Sequence, residues 1–500
     1  MKQAAPAVGR RLTLTGSVLG AAIVALDGTV LTVAQPALRR DLGASLVRVQ
    51  WTSTGYLIAV ACLLVFAGRL GDRYGHRRLF AVGSLGFGVT SAGIGFAPGI
   101  DWVIGLRVVQ GVFGALLQPA TLGMLRAFYP PDRIGRPVAL RTSAIGLAAV
   151  AGPVLGGALV GEFGRRAVFF LGAVPAAALG LSALAVREPA RSPGPAVRLD
   201  LPGACLLAVG LACLVHTLVG LPGTGWTAGS AAGPAVAAVA AALFVRHERR
   251  TANPLLPPGV LGSPTVGAAL GILVAASAAM SGTLFAGSCF LQDVLGLDPL
   301  ETGLRALPAA VMMVLGAPAS AVLVRRLGAR RTVLIALCVL VAGVLLLSRL
   351  GRESTAVLIG TGFLLLGAGF AAVMVTATTV VVRHVRVESA GVAGGLQQTA
   401  MNVGPALGVA AAAVLMPLPG DVGTGPALTV LTVLTVLAAV ALAGLPLALR
   451  LPGPGGSATR GQACPGAPGG TPYETMNTRR STSRGAEESD GTPATRRRAA

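Results

Sequence analysis

The sequence predicts an all-α membrane protein with about fourteen spanning helices, and three observations predict it. The first is composition: of 500 residues, 53% are hydrophobic and 12% charged, with a mean hydropathy of +0.75. A soluble globular chain carries roughly a quarter charged residues. The second is the length of the apolar runs, about twenty residues, which is what crossing roughly 30 Å of hydrocarbon requires. The third is the placing of basic residues in short segments between those runs, with one alternate set favoured. Gly 70 and Pro 33 would mean loops in water. Within spanning helices small residues permit close packing, and neighbours re-satisfy backbone groups that proline frees.

From the N-terminus, the runs place helices over 12–35, 47–70, 78–98, 101–125, 137–160, 167–186, 201–220, 227–246, 265–290, 303–324, 331–349, 355–382, 391–417 and 425–449. The first run is long, contains Asp27, lacks a good cleavage site and is followed by more of its kind, which argues against a signal peptide. Runs seven and eight are separated only by a Gly/Pro-rich turn over 221–225. The expected organisation is a cytoplasmic N-terminus (1–11), a six-helix half (12–186), a linker with two inserted helices (187–250), a second six-helix half (251–450) and a cytoplasmic tail (451–500). The tail is rich in Gly, Pro, Ser, Thr and Arg and has too little apolar material to build a core, so disorder is expected there.

Charge checks this count. With the N-terminus inside, one set of alternate segments holds 23 basic residues, including Arg69, Arg73, Arg77 and Arg78, then Arg126, Arg133, Arg136 and Arg141; the opposite set holds eight. Losing one helix from the middle would scramble this partition, so both ends are expected in the cytoplasm. The formal charge of +21 is therefore spread over loops that meet lipid headgroups, and nucleic acid is not an expected partner. Six cysteines and four histidines are scattered without metal-ligand spacing, so no metal or other cofactor is expected. No glycine-rich loop ends in Gly-Lys-Ser/Thr, and no sizeable soluble segment could hold a nucleotide, which leaves ATP-driven work and enzymatic chemistry without a site.

Two loops echo each other. Gly68-Arg-Leu-Gly-Asp72-Arg73-Tyr-Gly75-His-Arg77-Arg78 follows the second run, and Ala321-Val-Leu-Val-Arg325-Arg-Leu-Gly328-Ala-Arg330-Arg331 follows the tenth. A small residue, a charge four later, a glycine three later and two arginines recur, as expected of two related halves.

Well inside the runs, away from their ends, full charges are expected at Asp27 and Arg107 only. Such residues are costly in hydrocarbon and mark a cavity, a partner or an ion path. Asp27 can carry a proton; the alternatives are a structural ion pair or a place near the interface. Arg107 stays charged and can organise Gln110, one turn along the same face. Gln118, Gln397, Gln398 and Asn402 either line a path or bond helix to helix. In the fifth run Gly146, Ala149, Gly152, Gly156 and Gly157 make a flat face for close contact, and Pro153 introduces a bend.

These residues resemble the major facilitator superfamily, and within it the fourteen-helix drug:proton antiporter branch. The resemblance rests on Gly68–Arg78 after the second helix, Arg107-Val-Val-Gln110-Gly111-Val-Phe-Gly114 in the fourth and Gly146 to Gly157 around Gly152-Pro153 in the fifth. Leu26-Asp27-Gly-Thr29-Val30 in the first, Phe290 to Pro308 and Ala390 to Gly404 extend it over about residues 12–449. It implies a major facilitator fold in the inner membrane, exporting small amphiphilic molecules, drugs or antibiotics in exchange for protons, as a monomer among membrane lipids. By the same resemblance Asp27 and Arg107 couple protons. Gly68, Asp72, Arg73, Gly75, Arg77 and Arg78 form a conformational latch, and Gly146, Gly152, Pro153, Gly156 and Gly157 belong to a gating helix. The second-half latch departs from the pattern, carrying Arg325 in place of an acid. A proton-coupled importer of the same architecture, or a non-transporting membrane protein, remains as an alternative. All but one of the 40 basic residues are arginine, a bias of GC-rich genomes that points to an actinobacterial source.

Overall fold

The computed structural model describes residues 7–185, 199–224, 228–251, 253–257, 260, 262–351, 354–415, 439, 441–442 and 444–452. The chain divides into units 1–456 and 457–500, and every described residue lies in the first. All of the predicted tail beyond residue 452, the 225 end of the turn between helices seven and eight, and most of the predicted fourteenth helix fall outside the described residues.

Helices account for nearly all of the rest. In order they are α1 (Ala7–Asp41), α2 (Leu46–Tyr74), α3 (His76–Gly95), α4 (Ile100–Phe128), α5 (Gly135–Phe163), α6 (Arg165–Ala185), α7 (Leu201–Thr224) and α8 (Ala228–Glu248). They continue with α9 (Pro264–Cys289), a helical stretch Pro299–Leu347 that contains α10 (299–327) and α11 (329–347), then α12 (Ala356–His384), α13 (Ala390–Leu415) and the short α14 (Gly444–Ala448). Eight helical segments among the described residues are long and apolar enough to cross a membrane, and the bent α5 adds a ninth. One of the eight, Glu301–Leu347, has 47 residues. At 1.5 Å per residue it would reach about 70 Å, twice a bilayer core, so it must contain two spans. Gly328 divides it, with φ 79 and non-helical backbone.

Several helix bounds differ from the sequence reading. α1 begins at Ala7, so residues 7–11 of the expected N-terminal segment are helical. α10 begins at Pro299 because Asp298 caps it, accepting the Glu301 amide at 2.7 Å, and proline fits the first turn. The expected loop between α10 and α11 shrinks to the single break at Gly328. Gly75, its counterpart in the echo, has φ 103 and is the junction between α2 and α3. The shared glycine thus serves the same purpose twice, since a side chain at positive φ is strained.

In the first half α1 packs on α4, α5 and α6, α2 on α4, and α3 on α4 and α6. Ile23, Tyr56, Val60, Leu64, Phe80, Phe87 and Leu117 fill the space between them. In the second half α9 packs on α12 and α13, and α11 on α12, around a core that includes Ile272, Leu340, Phe363 and Val373. α7 and α8 pair with each other, and α7 lies against α2 and α13 on the outside of the bundle. Asp200 fastens the pair, accepting the Gly203 amide at 3.0 Å and lying 2.9 Å from the His247 ring. Bulky side chains such as Val89, Phe163 and Val357 are left exposed on the outer faces, as lipid contact allows.

The two helix ends differ electrostatically. At the arginine-poor end Arg48 pairs with Asp101 at 2.6 Å and Arg165 with Asp41 at 3.3 Å. Across the seam between halves, α5 meets α10, and α2 and α4 meet α13. Ser143 donates to the Val314 carbonyl at 2.7 Å, and Gly394 packs on Pro119. Further toward the arginine-rich end, Arg126 donates to the Val385 carbonyl at 3.4 Å, and Arg383 donates to the carbonyls of Pro131 and Asp132. These contacts close the bundle at its arginine-rich end.

Candidate functional site

The two charges expected inside the membrane meet. Asp27 on α1 and Arg107 on α4 form an ion pair of 2.6 Å, with side-chain exposures of 7% and 1%. Gln110, three residues along α4, accepts from the same Arg107 Nη1 at 2.6 Å and donates to the other Asp27 oxygen at 3.1 Å. Arg107 Nε donates to the Thr52 carbonyl at 3.1 Å, and its guanidinium lies 4.4 Å from the centre of the Tyr56 ring. α2 therefore supplies one wall of a site whose charges come from α1 and α4. A guanidinium between a carboxylate, an amide oxygen, a carbonyl and an aromatic face is compensated on each side, which makes its burial tolerable.

Thr52 and Tyr56 were not found from sequence. Thr52 contributes only its backbone, and Tyr56 is one aromatic residue in an apolar run. Glycine gave the available signal: a Cβ at Gly114 would crowd the Tyr56 hydroxyl, and one at Gly111 would strike the Tyr56 carbonyl and Ala59, so the glycines of the fourth-helix motif let α2 and its tyrosine approach α4. The Tyr56 hydroxyl is buried without a hydrogen-bond partner.

The residues expected to form a latch separate into two groups. Asp72 has a fully buried side chain and accepts the amides of Gly391 and Val392 at 2.8 and 3.1 Å, at the N-terminus of α13. A carboxylate there satisfies amides that the helix leaves unbonded and meets its positive end. His76 Nε2 lies 3.3 Å from the same carboxylate. Gly68 faces Gly391 so closely that a Cβ on either would overlap the other's carbonyl. The arginines point elsewhere: Arg77 donates to the carbonyls of Ala183 and Leu184 at the end of α6, Arg73 lies on the Tyr74 ring, and Arg78 is exposed.

The α5 glycines do not share one face. Gly152 and Gly156 pack on Thr29 and Val30 of α1, next to Asp27, whereas Gly146 packs on Met313 of α10 across the seam, and Gly157 has open space around it. The helix bends by 41° between Gly152 and Val154, at Pro153. Of the neutral polar candidates, Gln110 joins the ion pair. Gln118 is buried in α4, while Gln397 and the Asn402 Nδ2 lie on α13 without hydrogen-bond partners. Arg141, counted with the loop arginines, stands in the second turn of α5 with its side chain buried. Its position close in sequence to Arg126, Arg133 and Arg136, around the junction of α4 and α5, concealed it.

Comparison with known proteins agrees with this geometry. The profile of the Major Facilitator Superfamily matches residues 17–409 and 270–465. The chain belongs to the major facilitator superfamily. It is 40% identical over 405 residues to the tetracenomycin C resistance and export protein of Streptomyces glaucescens, covering 81% of this chain and 75% of that one. It is 32% identical over 403 residues to the multidrug resistance protein Stp of Mycobacterium tuberculosis, covering 80% and 74%. The human organic anion transporter MFSD10 (TETRAN) superimposes with a TM-score of 0.62 at 18% identity, over 88% of this chain and 99% of that one, which shows the shared fold. This major facilitator protein falls in the superfamily's drug-efflux branch and is a multi-pass protein of the cell membrane.

Proposed function

We propose that this major facilitator protein exports amphiphilic drugs or hydrophobic metabolites in exchange for protons, with Asp27 as the proton carrier. The observation that carries the reading is the buried Asp27–Arg107–Gln110 network. In the charged state the carboxylate holds Arg107 between α1 and α4. Protonation removes that charge and leaves Arg107 with Gln110 and the Thr52 carbonyl. α1 also carries Thr29 and Val30 against the α5 glycines, so a change in how α1 sits reaches the helix that meets α10 across the seam. The Asp72 contact with α13 then acts as the latch that makes or breaks with the facing. Relatives that confer resistance and export support drug efflux as the activity. The reading includes fourteen spans, α7 and α8 as an inserted pair, both ends in the cytoplasm and a monomeric transporter.

The test is gradient-driven uptake of a dye and antibiotic panel into inverted membrane vesicles, comparing wild type with Asp27→Asn at matched expression. Transport that needs the proton gradient and disappears in the variant supports the reading. Equal gradient-driven transport by both proteins removes Asp27 from coupling.

A further inference from the structure

Three arginines are buried among the described residues: Arg69, Arg107 and Arg141. Arg69 donates to the Pro254 carbonyl at 3.1 Å, and Arg107 has Asp27. Arg141, in the second turn of α5, is 2% exposed and has no carboxylate within ion-pair distance among the described residues. Its hydrogen bond is a long one, Nη2 to Gln398 Oε1 of α13 at 3.5 Å, and its Nε has no partner. Burying a cation without a counter-charge is costly, so the site is electrostatically incomplete.

The surroundings repeat the deficit. Gln398 and Asn402 are four residues apart, on one face of α13, and the Asn402 Nδ2 is unbonded. Gln397 beside them is fully buried with both amide atoms unpartnered. Ile145, Met313 and Met401 supply apolar surface near this part of the seam. Several polar groups thus await a partner where the halves meet. The seam is closed here, and it separates when the arginine-rich end opens, the facing in which an exporter loads.

We propose that Arg141 recognises the anionic group of the transported molecule, a carboxylate or phenolate on an apolar skeleton, with Gln398 and Asn402 hydrogen-bonding beside it. Charge balance selects the anion. Asp27 is already matched by Arg107, so an entering anion completes the pairing, whereas a cation would meet an unmatched positive charge. The inference rests on the exporter reading for when the site is loaded.

The test uses one skeleton with three charges: 9-anthracenecarboxylate, 9-anthracenemethanol and 9-(aminomethyl)anthracene. Binding to purified protein in nanodiscs is read by fluorescence, and transport in proteoliposomes with and without a proton gradient. Wild type is expected to bind the carboxylate about tenfold more tightly than the alcohol, as a charge-assisted contact allows. Arg141→Gln should abolish that preference while keeping alcohol binding and a sharp thermal transition, and Arg141→Lys should retain part of it. A wild type without carboxylate preference, or an unchanged preference in Arg141→Gln, overturns the proposal. Gradient-driven transport of the alcohol with no Arg141-dependent preference would sink this inference and leave the exporter reading standing. Arg141-dependent carboxylate binding without gradient-driven transport of any probe would do the reverse.

Discussion

Asp27 and Arg107 are each tolerable in the membrane because of the other. Removing one strands the other, and breaking a buried pair costs about 3–5 kcal/mol. Arg107→Ala should therefore lower the melting temperature in detergent strongly. Adding Asp27→Asn should restore part of the loss, because it removes the charge that the missing guanidinium leaves unpaired. Two glycines make a separate prediction. Gly75 and Gly328 have φ 103 and 79, so alanine at either should cost about 1–2 kcal/mol, read as a lower midpoint on thermal unfolding. Both features were legible in sequence, the pair because charge in a hydrocarbon run is anomalous, and the glycines because their spacing recurs. Arg141 was not legible: nothing in its local sequence separates it from Arg126, Arg133 and Arg136, and only the tertiary fold, which packs α5 on α10 and α12 and sets Gln398 of α13 beside it, buries it. Tyr56 was hidden for the opposite reason, as an aromatic residue where aromatic residues are ordinary.

Among the elements, α13 carries the most consequence. Its N-terminus receives Asp72, its first turns lie against α2 and α4, and its next turn presents Gln398 to Arg141. Asp72→Asn keeps a carbonyl for one amide but loses the charge that the helix end favours. It should shift the closed-to-open balance at the arginine-rich end by about tenfold, equivalent to ~1.4 kcal/mol. A cysteine at Val392, buried in the closed seam, should then label correspondingly faster in a background without the native cysteines. Gly68→Val should act in the same direction more severely, since any Cβ there overlaps the Gly391 carbonyl, giving a folded protein that labels fast and does not transport. Helix order and approximate spans were legible from apolar length. The division of the α5 glycines between α1 and α10 was not, because spacing along one helix says which residues share a face and not which neighbour that face meets.

For the whole molecule, the distribution of contacts carries the argument. The halves are held together near the arginine-rich end by Asp72 on α13, Arg383 on the Asp132 carbonyl and Arg126 on the Val385 carbonyl. In the first half the contact is the Asp72 carboxylate on a helix N-terminus. The corresponding place in the second half, beside the start of α5, has Arg325 with Arg10, Arg133, Arg136 and Arg383 around a cavity of about 480 Å³. The halves therefore close by different contacts despite their echoed loops, a difference already visible in the substitution of Arg325 for an acid. The central claim is that Asp27 couples this opening and closing to proton movement. The most direct test reconstitutes wild type and Asp27→Asn into liposomes containing a pH-sensitive dye and imposes a gradient of a substrate identified in the vesicle panel. The account predicts that the wild type moves protons against the substrate flow, while the variant exchanges substrate and moves none. Equal proton movement by the two proteins would contradict it.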